Sequence, residues 1–221
     1  MSLPAGDYPQ WTEPADRPMR WQVTSREPAF TGRVLSMTRE QVRTPAGVEL
    51  QREVVEHPGA VAILALDDDG AAIVLRQYRH PVAHELVEIP AGLLDVAGED
   101  PLHAAQRELA EETRLAAAHW HILADVATSP GGNRETVRIY LATGLSVTER
   151  PAGFEVVGEE VHMQVGRAQI GALVDGILAG RLANPALCTG VLGWVAAGQD
   201  VTRLRAPDAP WPMYRAAHRA S

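Results

Sequence analysis

Glu108, Glu111 and Glu112 stand three and four residues apart in the run Arg107-Glu108-Leu109-Ala110-Glu111-Glu112. On a helix this spacing projects all three carboxylates over one side. Like charges so placed cost about 0.2–0.5 kcal/mol per pair, and late in a helix they also oppose the negative end of its dipole. Two readings account for such a helix. One is a solvated acidic face; the other is a site where a hard divalent cation, which takes oxygen ligands, relieves the repulsion. The chain is acidic, with a net charge of −8. Such a chain handling an anionic phosphate substrate needs a cation or locally placed arginines.

The helix itself is well signalled. Asp100 suits the N-cap, Pro101 the first helical position, and Leu102, Ala105 and Leu109 fall on one stripe at helical spacing.

Around that helix the order Gly92, Glu99, Arg107-Glu108-Leu109, Glu111-Glu112 resembles the Nudix box, with seven residues between Glu99 and Arg107 as the box requires. Two departures stand out. Six residues rather than five separate Gly92 from Glu99, and Arg114 occupies the place of the glycine that ends the box helix. An arginine in that left-handed cap carries a cost of about 1 kcal/mol. The segments Val55-Glu56-His57-Pro58-Gly59-Ala60, Gln77-Tyr78-Arg79-His80, Glu88-Ile89-Pro90-Ala91-Gly92, Ser129-Pro130-Gly131-Gly132 and Tyr140-Leu141-Ala142-Thr143-Gly144 look like those of ADP-ribose pyrophosphatases. This similarity runs from about residue 30 to 200.

The resemblance implies a Nudix α/β/α sandwich with a mixed sheet, preceded by a small N-terminal antiparallel β unit exchanged between the subunits of a homodimer. It implies magnesium, with manganese as the alternative cation, held by Glu108 and Glu112, with Glu111 third and the carbonyl of Ala91 a further ligand. Arg107 holds a carboxylate in place by paired hydrogen bonds. Arg79 and Arg52 contact substrate phosphate, Glu88 orients the ligand, and Gly131 and Gly132 let the backbone approach the terminal ribose. Trp21 and Phe30 compete to stack on the base. The general base lies outside the box, in Phe154-Glu155-Val156-Val157-Gly158-Glu159-Glu160-Val161-His162-Met163, where Glu160 matches best and Glu159 is the near alternative. The implied reaction is hydrolysis of ADP-ribose to AMP and ribose 5-phosphate. The alternatives are another nucleoside-diphosphate sugar such as GDP-mannose, or a module that binds ADP-ribose without cutting it.

The elements that must position these residues are legible in part. Residues 1–20 carry Pro4, Pro9, Pro14 and Pro18 and read as an irregular arm. Residues 21–57 read as the antiparallel unit, with strands at Gly32 to Met37 and Val48 to Val55 about the turn Thr44-Pro45-Ala46-Gly47. Residues 58–205 form the main domain and 206–221 a tail. In the main domain Ala60 to Leu66 is a buried-strand run, and Asp67-Asp68-Asp69-Gly70 makes a hairpin turn into Ala72 to Arg79. The three aspartates read as a turn rather than a metal site. Leu86 to Ile89, Val137 to Ala142 and Val161 to Val165 are further strands; Ala168 to Ala179 and a segment from Asn184-Pro185 to Ala197 are helices.

Composition excludes several classes. With 46% hydrophobic and 22% charged residues the chain is ordinary globular protein, and its 20 basic residues are scattered, which argues against a nucleic-acid partner. Cys188 is the single cysteine, so no intrachain disulfide forms, and it reads as a small buried apolar residue. No stretch approaches the roughly 18 apolar residues of a membrane span, and the start lacks a signal peptide's pattern. A cytoplasmic location is the expectation.

Overall fold

The computed structural model describes residues 11–32, 35–151, 153 and 162–218. The chain opens with a three-stranded antiparallel sheet of β1 (Gln22–Thr31), β2 (Ser36–Arg43) and β3 (Glu49–Glu56), in that order. The β2–β3 turn forms where Thr44-Pro45-Ala46-Gly47 predicts it: Gly47 takes φ +82°, and the Thr44 hydroxyl accepts from the Val48 amide. β1 lies within the residues 21–57 read as the antiparallel unit but was not itself read as a strand, and of the strand expected from Gly32 to Met37 only Ser36 and Met37 belong to β2. β1 is an edge strand, exposed at every residue, and it carries Pro28 beside a shift in register, as edge strands tolerate.

The strand β4 (Ala60–Ala65) is buried throughout. Its parallel neighbour is β9 (Thr136–Val147) and its antiparallel neighbour β7 (Ala91–Leu93); β8 (Leu115–Ala127) completes a four-stranded mixed sheet in the order β7-β4-β9-β8. Both faces of β4 are covered, which is why its sequence is apolar without alternation. Val61, Ile63 and Ala65 pack with Ala104, Ala105 and Leu109 of α1 (Pro101–Thr113). Ala62 and Leu64 pack with Leu187, Val191 and Trp194 of α3 (Pro185–Ala196), alongside α2 (Ile170–Leu178). The result is the α/β/α layering.

The Asp67–Gly70 turn also forms. Asp67 accepts from the Ala71 amide through its side chain and donates its own amide to the Ala71 carbonyl. The hairpin reading of the flanking strands does not hold, however. β5 (Ala71–Arg79) leaves β4 after one bridge, Leu66 to Ala72, and joins β6 (His84–Glu88) and β10 (Gln164–Gln169) in a second sheet of order β10-β5-β6. β9 pairs with β4 along one edge from Ala60 to Ala65, and β7 with the preceding Pro90 carbonyl occupies the other as far as Ile63.

Other boundaries shift. Of the strand expected from Val161 to Val165, Gln164 and Val165 open β10, which runs on to Gln169, and Val161 lies outside the described residues; Ala168 and Gln169 are extended, and α2 begins two residues later than expected, at Ile170. β8 and a last helix, α4 (Pro212–His218), had no sequence signal. β8 is rich in alanine and histidine, and its strand form comes from long antiparallel pairing with β9. Cys188 lies half-buried in α3 against the core, where burial pushes its thiol up.

Candidate active site

The helix α1 begins as its sequence dictates: the Asp100 carboxylate caps the Leu102 amide at 2.9 Å, with Pro101 next. It ends at Arg114, which takes the left-handed conformation at φ 59° and donates its amide to the Ala110 carbonyl. The arginine therefore occupies the cap usually reserved for glycine. Burial of Leu109, worth about 1.5–3 kcal/mol, outweighs repulsion of about 0.2–0.5 kcal/mol per carboxylate pair, so the helix holds its acidic face.

One guanidinium organises that face. Arg107 donates to both oxygens of Glu99 at 3.0 Å, and its Nη1 donates to Glu108 at 2.7 Å and to Glu111 at 3.1 Å. Part of the relief that the sequence reading assigned to a cation is thus supplied by Arg107. The hydrogen bonds from Arg107 hold the Glu99 carboxyl below the usual range, and those carboxylates in turn raise the arginine. Glu112 turns the other way and accepts from the Ala91 amide at 3.0 Å.

Glu108 is the anomaly. Burial pushes its carboxyl up to about 7, against the opposing pull of Arg107 and with help from Glu111 and Asp95. It lies directly on Gly92: a Cβ at that position would stand 1.9 Å from Glu108 Cδ. A hard divalent cation fits the chemistry of this donor set, which consists of carboxylate oxygens from one helix face. Glu108, Glu111 and Glu112 are nonetheless not drawn to one point, and among the described residues no group of three or more such side chains is gathered to hold a metal.

The strand β7 connects the acidic face to a cavity of about 530 Å³. Ala91 and Gly92, which touch Glu112 and Glu108, also line it. Its floor is apolar, from Ala60, Ala62, Val126 and Val137, and polar groups enter from the rim. Among them Arg79 binds both oxygens of Glu88 at 2.8 and 2.7 Å, with Glu88 buried and Arg79 partly exposed. The structure therefore brings Arg79, Glu88, Ala91, Glu108 and Glu112 into one neighbourhood.

Other residues singled out by sequence lie elsewhere. Arg52 is exposed on β3, its side chain donating to the Gln51 carbonyl, and does not line the cavity. Gly131 and Gly132 do not line it either; their loop is tied to β3 by the Val55 amide donating to the Gly132 carbonyl and the Arg134 amide to the Val55 carbonyl. Trp21 and Phe30 are exposed at 41% and 58%. Glu159 and Glu160 fall outside the described residues.

Sequence reasoning missed the opposite wall, where His57, Thr128 and Glu135 line the cavity. The Thr128 hydroxyl donates to Glu135, and His57 Nε2 stands 3.4 Å from the same carboxylate. His57 Nδ1 accepts from the Gly59 amide, which places the ring proton on Nε2. His57 was visible only inside His57-Pro58-Gly59, and its role as a wall depends on where β8 and β9 run.

Residues 56–165 match the NUDIX domain family. An ADP-ribose pyrophosphatase of Mycobacterium tuberculosis is 43% identical, the alignment covering 90% of this chain and 97% of that protein. The chain belongs to the Nudix family. An ADP-ribose pyrophosphatase of Bacillus subtilis is 44% identical over 58% of this chain and 69% of its own. The fold is that of a solved ADP compounds hydrolase, at a TM-score of 0.68 and 20% identity, covering 84% of this chain and 98% of that one. As a Nudix hydrolase the chain acts on pyrophosphate bonds, and its branch of the family generally depends on a divalent metal. Among the described residues no helix is long and apolar enough to cross a membrane.

Proposed function

We propose that the chain hydrolyses the pyrophosphate of ADP-ribose to AMP and ribose 5-phosphate, using magnesium. The observation that carries this reading is β7, whose Ala91 and Gly92 touch the two principal carboxylates on one side and a substrate-sized cavity on the other. The relative named ADP-ribose pyrophosphatase, aligned along nearly all of its length, supports the choice of substrate.

In this reading Glu108 and Glu112 would hold the cation, with Glu111 and the Ala91 carbonyl as further ligands. A bound divalent cation neutralises phosphate charge and lowers the pKa of water. The chain's own part is positioning. Arg107 keeps Glu99, Glu108 and Glu111 on one side of α1. The exposed edge of Arg79, held flat by Glu88, meets phosphate oxygens, and the apolar floor excludes water from the rest of the substrate.

Glu160 accepts the proton of the attacking water, with Glu159 as the alternative. Glu160→Gln is expected to lower turnover about a hundredfold, the scale of general-base catalysis. A benign Glu160→Gln with a damaging Glu159→Gln moves the assignment by one residue.

The protein is further proposed to be a cytoplasmic homodimer that exchanges the β1–β3 sheet. The open edge of β1 and the exposed Trp21, Val23 and Phe30 support it. Arg52, and one of Trp21 and Phe30, would then serve the site across the two subunits. Sedimentation at micromolar protein checks the mass.

The deciding experiment incubates the protein and magnesium with ADP-ribose and GDP-mannose and identifies products. AMP with ribose 5-phosphate from ADP-ribose supports the reading; free adenine or ADP shows that the wrong bond was assigned. Preference for GDP-mannose changes the substrate and leaves the chemistry.

A further inference from the structure

The helix α4 is short and lies beyond the residues matched to the family domain, yet it touches His57 and Gly59, next to the cavity-lining Ala60. Its aromatic side chains form a continuous stack. Trp211, just before the helix, lies 4.7 Å from Tyr214, and Tyr214 lies 4.3 Å from His218, centroid to centroid. The guanidinium of Arg138, on β9, caps the other end over Trp211 at 4.7 Å. Tyr214 covers the backbone of Gly59 so closely that a Cβ there would meet its ring at 2.8 Å.

The stack ends in a directed contact. His218 Nε2 lies 2.7 Å from the carbonyl oxygen of His57 and Nδ1 lies 2.9 Å from that of Tyr214, one helical turn back; a neutral ring donates to one of the two, the shorter contact being to His57, and a protonated ring donates to both. Arg134 and Arg20 hold the same end of α4 by donating to the carbonyls of Ala217 and Ala216. Two bonds lead onward from the His57–Gly59 joint. The Gly59 amide sets the His57 ring through Nδ1, and the Gly59 carbonyl accepts from Leu94, next to β7. The chain of contacts thus runs from α4 through His57-Pro58-Gly59 to the imidazole in the cavity wall.

We propose that His218, seated by Tyr214, is a positioning residue for the substrate cavity, fixing the His57 imidazole and the adjoining wall through the His57 carbonyl. His218 does not line the cavity itself. Arg107 holds Glu99, Glu108 and Glu111 from within α1 and, among the described residues, has no bond to α4, so the contact acts first on the cavity wall and on substrate binding. This rests on the reading that the cavity takes the substrate.

The test compares His218→Ala with His218→Gln, whose amide nitrogen can replace Nε2 as donor. Kinetics use whichever nucleoside-diphosphate sugar the unaltered enzyme turns over best. Amide exchange at Gly59 and Leu94 is followed by NMR in metal-free protein. His218→Ala is expected to raise KM about fivefold to tenfold, the scale of one hydrogen bond, with kcat within twofold and faster exchange at both amides. His218→Gln is expected to restore both readouts. Unchanged KM and exchange in the alanine variant overturn the proposal, as does a glutamine variant that behaves like alanine. If no such sugar is turned over, the substrate reading fails, and exchange alone then decides whether the contact positions the wall.

Discussion

Gly92→Ala tests the placement of the candidate metal ligand by a single methyl group. The Cβ would stand 1.9 Å from Glu108 Cδ and 2.0 and 2.4 Å from its two oxygens. Ordinary contact needs about 3.4 Å, so the carboxylate must retreat by roughly 1.5 Å. The backbone itself is indifferent, because Gly92 is not among the residues of positive φ. What moves is the far end of a flexible side chain, so the fold loses little, while a displacement on the order of 1 Å at a reacting centre costs about a hundredfold in rate. A hundredfold corresponds to about 2.7 kcal/mol of transition-state stabilisation. The assay is steady-state hydrolysis of ADP-ribose at saturating magnesium, with thermal unfolding measured on the same metal-free sample. The expected result is a melting temperature within a few degrees of the unaltered protein and kcat reduced about a hundredfold. Activity within threefold of the unaltered enzyme would refute the reasoning, because Glu108 could not then need the position it holds against Gly92.

Three further outcomes are expected. Glu112→Gln keeps an oxygen to accept from the Ala91 amide, so metal-free stability should not fall while turnover drops by orders of magnitude; near-normal activity ends the ligand assignment. Arg114→Gly relieves a left-handed residue at φ 59°, and its weak ion pair with Glu149 is exposed, so calorimetry should find the protein up to about 1 kcal/mol more stable, or roughly 2–4 °C in melting temperature; a lower value contradicts the strain. Burial lowers the pKa of His57, opposed by Glu135 and aided by His218, so the unfolded chain takes up the proton first as pH falls. The stability tied to this group is whole above about 6.5 and declines as pH falls through the lower folded value. Urea midpoints should therefore drop more steeply below pH 6.5 in the unaltered protein than in His57→Asn, and parallel curves would exclude the effect.

The chemistry was legible in local sequence because it is written on one helix. Asp100, Pro101 and the Leu102, Ala105, Leu109 stripe set where α1 starts and which side is buried, and the spacing of Glu108, Glu111 and Glu112 then puts three glutamates on one side of the helix, although Glu108 and Glu111 turn to Arg107 and Glu112 to the Ala91 amide. The strained cap at Arg114 was legible for the same reason, since the cost belongs to one residue's own backbone. The turn at Asp67–Gly70 was equally local, but the partners of its strands were not. Only the tertiary fold, by pairing β5 with β10 and β6, sends it into another sheet and with it Arg79 and Glu88 to the rim of the cavity. β8 illustrates the same limit: an alanine-rich segment with no strand signature becomes one because β9 offers it a long ladder. The far wall of the cavity depends on that ladder, for Thr128 and Glu135 stand at the two ends of the loop that joins β8 to β9 and meet His57 from another part of the chain. Helical spacing is fixed by a few neighbouring bonds, so sequence alone determined the acidic face; strand pairing is decided by which edges the other strands leave open, so only the tertiary structure determined the cavity beside it.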